Sequence, residues 1–172
     1  YEHTWIDEGE FNPDTQRYYI LDNYNGEGGA ISTWNKQTLI KNSEFEGNKS
    51  SYGGAISSCT DSLEISDSTF KNNNAKWNLK GTYYDRTNDR KLELDQIQGA
   101  GGAIQSYDEN LKINHSTFEN NSSGLDGGGA IYLNSKVANI DNSTFNTNNT
   151  LGNGGAISTE NYNNSVNINN ST

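Results

Sequence analysis

A chain that repeats one tetrapeptide at a near-fixed interval has few ways to fold, and this chain carries Gly-Gly-Ala-Ile five times, beginning at Gly28, Gly53, Gly101, Gly128 and Gly154. The successive intervals are 25, 48, 27 and 26 residues, and the long one reads as a single period plus an insertion. A period of this size marks a solenoid, in which each unit covers the hydrophobic face of the next. The repeat overrides composition. With 28 asparagines, one proline, no methionine and only 30% hydrophobic residues, the chain would otherwise resemble a disordered one.

Counting from the first glycine of each unit as zero, offset 12 holds Ile40, Ile65, Ile113 and Ile140, and offset 17 holds Phe45, Phe70, Phe118 and Phe145. Offset 15 holds Ser43, Ser68, Ser116 and Ser143, and offset 20 holds Asn48, Asn73, Asn121 and Asn148. Thr38, Leu63, Leu111 and Ala138 occupy offset 10. Offsets 10 and 12 are two apart, as are 15 and 17, which is the spacing of side chains on one face of a strand. The gap of three between the two pairs predicts a corner. Two short strands joined at that bend, with a third beginning at Gly-Gly-Ala-Ile, give a three-sided coil of 25–27 residues. Stacked coils then form parallel strands at about 4.8 Å, the all-β architecture of a parallel β-helix.

The structural rival is a leucine-rich repeat, whose unit has a similar length and also ends in Asn. It needs a helix or other apolar segment on its convex side. Here that part of the unit is Gly, Ser, Asn and Thr, which are poor helix formers, so the β-helix is preferred. In such a stack each Ile or Phe packs on its equivalents above and below, contributing about 1.5–3 kcal/mol when fully buried. The offset-20 asparagines are expected to bond a turn backbone and one another, as in an amide ladder. The paired glycines suit a corner that demands positive φ or close backbone approach.

Gly-Gly-Ala-Ile paired with Phe-x-x-Asn resembles the repeat pair of the chlamydial polymorphic outer-membrane proteins, and is similar to adhesin-like surface proteins of methanogenic archaea. The pair occurs as Gly53–Ile56 with Phe70–Asn73, as Gly101–Ile104 with Phe118–Asn121, and equivalently in the first and fourth units. The resemblance covers about residues 28–172 and implies a right-handed parallel β-helix exposed at a cell surface and used in adhesion. It brings no catalytic residues.

The chain reads as a single β-helix fragment over residues 1–172. Residues 1–27 are expected to form a degenerate first coil and a long turn, on the spacing of Thr4, Ile6, Gly9, Phe11 and Asp14. Residues 28–172 form the repeat coils, with 75–98 inserted between two of them. At the far end Val166, Ile168 and Ser171 fit offsets 10, 12 and 15 if two residues are inserted before Val166. The chain starts at Tyr1 without a signal-like apolar segment and stops at Thr172 within a unit, so it reads as a piece of a longer protein.

A net charge of −10 argues against nucleic acid or an anionic membrane surface as partner. The apolar runs are only a few residues long, so no direct membrane insertion is expected of this piece. Cys59 is the sole cysteine, which excludes an internal disulfide and a cysteine zinc site. His3 and His115 show no metal-ligand spacing, and no calcium-repeat pattern exists, so no metal or cofactor is expected. His115 falls at offset 14, beside Asn42, Asp67 and Asn142 of the other coils, and reads as an outward polar residue. Asn-x-Ser/Thr sequons are numerous; those at Asn48, Asn121 and Asn148 coincide with the expected ladder, where a glycan would disrupt stacking.

Binding function is expected where the repeat is broken or varied. The insertion holds Trp77, Tyr83, Tyr84, Arg86 and Arg90, with Lys76, Lys80 and Lys91, a mixture suited to a protein or carbohydrate on another cell surface. The alternative is a loop folded over the coil, with its aromatics covering apolar surface. A second candidate is the face at offset 6, where Trp34, Cys59, Tyr107, Asn134 and Glu160 would stack, with Tyr132 nearby at offset 4. Simple alternation from the offset-3 isoleucine points offsets 4 and 6 outward; for Trp34 an inward, coil-filling position stays open. Lys36, Asp61, Glu109 and Lys136 at offset 8 are read as charge pairs between coils. Asp61, Asp85, Asp89, Asp108 and Glu109 are the carboxylates available to a polysaccharide lyase or hydrolase, but no motif sets two of them at a defined distance. The reading is therefore a non-enzymatic, extracellular, adhesin-like stalk, with a polysaccharide-active enzyme and a pure spacer as alternatives. Open coil ends leave self-association available.

Overall fold

The computed structural model describes residues 10–12, 17–19, 26–85, 90–160 and 165–172. Among them there is no helix, and parallel sheets stack into a β-solenoid of about five turns. Each complete coil has four short strands rather than the three sides the spacing predicts. The first follows the glycine pair: Ile31–Thr33, Ile56–Ser58, Ile104–Ser106, Ile131–Leu133 and Ile157–Thr159 make one five-stranded sheet. The second carries offsets 10 and 12: Gln37–Lys41, Ser62–Ser66, Asn110–Asn114, Val137–Asp141 and Ser165–Asn169. The third holds the phenylalanines: Glu44–Glu46, Thr69–Lys71, Thr117–Glu119 and Thr144–Asn146. The fourth is two residues long in each coil: Lys49–Ser50, Asn74–Ala75, Ser122–Ser123 and Asn149–Thr150. It lacks a hydrophobic alternation of its own, which is why the sequence pattern conceals it.

Register is set by like packing on like. Ile56, Ile104 and Ile131 align in the first sheet, Ile65, Ile113 and Ile140 in the second. The two-residue shift before Val166 is present, since Val166 pairs with Ala138 and Ile168 with Ile140. In the third sheet Phe45, Phe70, Phe118 and Phe145 stack with centroids 4.8 Å apart and planes within 4°. Ile65, Phe70, Ile113, Phe118 and Ile140 are buried, whereas Phe45 and Phe145 at the ends of their stack are partly covered.

The corners are held by side-chain ladders. At offset 20, Nδ2 of Asn73 donates to Asn121 Oδ1 at 2.9 Å and to the Phe45 carbonyl at 2.9 Å. Asn121 repeats the pattern with Asn148 Oδ1 at 2.9 Å and the Phe70 carbonyl at 3.0 Å. One amide therefore ties three coils. At offset 15 the backbone N–H of Ser68 donates to Ser116 Oγ at 3.3 Å, and that of Ser116 to Ser143 Oγ at 3.2 Å. The preceding residue at this corner is left-handed in every coil: Asn42, Asp67, His115, Asn142 and Asn170 have φ between 47° and 52°. Asn, Asp and His are the non-glycine residues most tolerant of that region, so His115 is there for its backbone.

The two glycines of each pair do different work. Gly53 adopts φ 58°, and an added Cβ would lie 2.0 Å from the Ile56 carbonyl oxygen. Gly54 has an ordinary φ, but a Cβ there would meet the Gly102 carbonyl oxygen at 2.1 Å in the next coil.

The variation in period between the five glycine pairs is confined to one corner, between the fourth strand and the following glycines. Ser51 and Tyr52 fill it in one coil, residues 124–127 in another and residues 151–153 in a third. The insertion occupies the same corner. It is not a loop but an antiparallel hairpin, Trp77–Asp85 with Arg90–Gln98, in register from Trp77 opposite Gln98 to Asp85 opposite Arg90. At the N-terminal side, Glu10–Asn12 and Arg17–Tyr19 pair antiparallel, with Phe11 opposite Tyr18, and the phenylalanine sheet ends at Glu44–Glu46 among the described residues. Thr4, Ile6, Gly9 and Asp14 lie outside the described residues.

Candidate functional site

Along the first sheet the residues at offsets 3 and 5 face the core and those at 4 and 6 face outward. Ile56, Ile104 and Ile131 at offset 3 and Leu133 at offset 5 sit in the hydrophobic core, whereas Trp34 and Tyr107 at offset 6 are exposed, which fixes the alternation. The outward side chains line a groove of about 680 Å³ running along the stack. Trp34 comes from one coil, Ser57 and Cys59 from the next, Gln105 and Tyr107 from a third, Tyr132 from a fourth and Glu160 from the last. The variable corner adds Glu27, Tyr52, Ala100 and Asp126 along one side. That volume lies in the range of about 300–1,000 Å³ that holds small ligands or short segments of larger ones.

Floor and walls are distinct. Ser57 and Gln105 are buried in the floor, Ser57 Oγ donating to Gln105 Oε1 at 3.3 Å and Gln105 Nε2 to Tyr107 Oη at 3.4 Å. Tyr107 and Tyr132 pack with centroids 6.3 Å apart and planes tilted by 54°. Tyr132 is only 6% exposed, and its hydroxyl donates to Glu160 Oε2. Burial first, then the bond to Glu160, then the nearby Tyr107 and the charges of Glu160 and Asp126, push the Tyr132 phenol well above its ordinary pKa. It is therefore a neutral donor that orients the Glu160 carboxylate. Trp34 stands 72% exposed, outside the core and on the groove wall. Asp126 is tied to the corner by the Gly99 N–H, which donates to its Oδ2 at 2.8 Å.

Beneath the groove, at the next corner, lies a buried polar cluster. Asp108 is 1% exposed; its Oδ1 accepts from Ser58 Oγ, Thr60 Oγ1 and the Thr60 N–H, each at 2.7 Å, and its Oδ2 accepts from Ser106 Oγ at 2.5 Å. A carboxylate saturated by four donors and shut off from solvent is a corner clamp. Glu109 is paired with Lys136 at 2.5 Å, the inter-coil charge pairing expected at offset 8. Neither residue lines the groove, nor does Asp61. The side chain of Asp85 and the whole of Asp89 lie outside the described residues.

The structure therefore gathers Trp34, Tyr107 and Tyr132 along one groove, which Trp77 does not line. Trp77 is 9% exposed at the root of the hairpin, a footing and not an open contact surface. Tyr83, Tyr84 and Arg90 have their backbones in the hairpin strands, with side chains outside the described residues, and Arg86 lies outside them altogether. Glu27, Tyr52 and Asp126 escaped the sequence reading. Glu27, Tyr52 and Ala100 share the place just before each glycine pair, bridged Glu27 to Tyr52 to Ala100 to Gly127, and that position varies in the sequence from coil to coil. Reading offset −1 with offsets 4 and 6 would have found Glu27 and Tyr52, but not Asp126, which stands one residue earlier in its unit.

Among the described residues no group of three or more His, Cys, Asp or Glu is placed to hold a metal ion. No helix of the described residues is long and apolar enough to cross a membrane.

Two stretches of the chain, residues 42–59 and 115–134, match the model of the Chlamydia polymorphic membrane protein repeat. Each runs from the left-handed offset-14 corner through the phenylalanine and asparagine ladders and the glycine pair to offset 6. The chain thus carries repeats of the polymorphic membrane protein type. No curated protein and no solved structure matches it.

Proposed function

We propose that the chain is an adhesin-like segment of an extracellular cell-surface protein, a rigid β-helical stalk whose groove engages a protein or carbohydrate on another surface. The observation that carries this reading is the collection of Trp34, Tyr52, Tyr107 and Tyr132 into one groove, on a scaffold whose phenylalanine and asparagine ladders are nearly identical from coil to coil. Aromatic residues of this kind supply large contact area for little lost conformational freedom, and they dominate interface energetics. The surface location is supported by the repeat type, which belongs to a family of membrane surface proteins. Fold alone implies no function, so the weight rests on the groove.

The test is binding of the chain to an array of glycans and extracellular protein domains, compared between wild type, Trp34→Ala and a variant lacking residues 76–97. Loss of the wild-type signal in Trp34→Ala supports the groove as the contact surface. Loss only in the deletion variant would move the function to the hairpin, and no signal from the wild type would leave a spacer.

A further inference from the structure

The groove has a charge signature as well as an aromatic one. Its charged lining residues, Glu27, Asp126 and Glu160, are all acidic, and no Lys or Arg lines it. An anionic ligand is therefore disfavoured, and the chain's net charge of −10 adds to that field. The carboxylates come from different coils and do not converge as a metal-binding group among the described residues, so the geometry suits several separated positive charges rather than one compact ion. Trp34 and Tyr107 line the same groove, and aromatic faces near carboxylates hold ammonium and guanidinium groups through cation–π contacts. Glu160 is held in place by the neutral Tyr132 hydroxyl, so a cation meets a carboxylate already oriented.

Resting on the binding reading above, we infer that the groove receives an extended basic peptide segment of a partner protein, its Lys or Arg side chains set over Trp34 and Tyr107 and paired with Glu27 and Glu160. Five coils at about 4.8 Å give a run of about 19 Å, which an extended strand spans with about six residues at 3.3 Å each. Side chains on one face of such a strand recur about every 6.6 Å, so about three of them fall along that run.

The probe is a synthetic alternating Lys-Gly peptide, titrated against the full chain by tryptophan fluorescence and calorimetry. An acidic Glu-Gly peptide and a neutral β-linked glucose oligosaccharide serve as comparisons. The expected result is saturable binding of the basic peptide alone, weakened about tenfold by Trp34→Ala and by the double variant Glu27→Gln/Glu160→Gln. Affinity should also fall with added salt. Glu44→Gln/Glu46→Gln removes the same charge from the phenylalanine sheet and should leave affinity within about twofold. Matched unfolding midpoints establish that each variant is folded. Equal loss in the two charge variants would mean unspecific attraction and overturn the inference. Binding of the neutral oligosaccharide in preference to the peptide, lost in Trp34→Ala, would also overturn it while leaving the groove as a binding site. If neither probe binds and Trp34→Ala is also silent on the arrays, both readings fall.

Discussion

The phenylalanine sheet and the groove sheet are built from the same coils, yet they obey opposite rules. In the first, each coil offers the same residue at the same offset: Phe45, Phe70, Phe118 and Phe145 stack at 4.8 Å, with Asn48, Asn73, Asn121 and Asn148 laddered beside them. In the second, the inward Ile31, Ile56, Ile104, Ile131 and Ile157 are equally regular. The outward positions of that sheet change instead, from Trp34 to Cys59 to Tyr107 at offset 6 and from Ser57 to Gln105 to Tyr132 at offset 4. Identity at an offset follows from stacking, because a side chain flanked above and below by copies of itself packs without voids. Variation at an offset that stacking leaves free is where a solenoid can acquire a site.

The largest expected break of this comparison is Phe118→Ala. Phe118 is fully buried between Phe70 and Phe145, so truncation should lower the unfolding free energy by about 3–5 kcal/mol in urea denaturation. A change like that of an exposed site would mean that the stack does not hold the coils together. Asn121→Ala should come next, at about 2–4 kcal/mol, because it strips partners from the Phe70 carbonyl and from the N–H and Nδ2 groups of Asn73. If Asn121→Ala proves neutral, the asparagines are turn formers only.

His115→Val should destabilise by about 1–2 kcal/mol, since φ 47° suits a β-branched residue poorly, whereas His115→Asn should be nearly silent. Equal effects of the two would show that the imidazole, and not the corner, selects histidine. The smallest effect belongs to the groove sheet and appears only in alkali. The folded Tyr132 phenol is raised above its value of 10.0 in the unfolded chain, so from about pH 10 upward the unfolded state releases a proton that the folded state keeps. Stability then falls as pH rises, by at most about 1.4 kcal/mol per pH unit, and Tyr132→Phe should abolish that component of the slope. An unchanged alkaline slope in the variant would remove Tyr132 from the buried wall.

Much of the scaffold is legible in the sequence because its ladders demand chemical identity: the isoleucine, serine, phenylalanine and asparagine offsets announce themselves. Outward alternation also follows, which brought Trp34, Tyr107 and Tyr132 into view. The fourth strand was hidden because Lys49–Ser50 and its equivalents are only two residues long and, Ala75 apart, polar, held by neighbouring coils and not by a pattern of their own. The hairpin was not visible, since the insertion breaks the repeat and its composition says nothing of the antiparallel pairing of Trp77–Asp85 with Arg90–Gln98. Groove depth could not be read at all. It depends on Glu27, Tyr52 and Asp126 standing at a corner whose length changes from coil to coil, and on Tyr132 being covered by its neighbours.

The central claim is that the ladder sheet supports and the varied sheet binds, and one paired measurement on the double variant Trp34→Ala/Glu160→Gln tests it most directly. Both residues are exposed on the groove wall, so the unfolding free energy should stay within about 1 kcal/mol of wild type while array binding is lost. Retained binding, or a stability loss as large as that of Phe118→Ala, would contradict the division of labour between the two sheets.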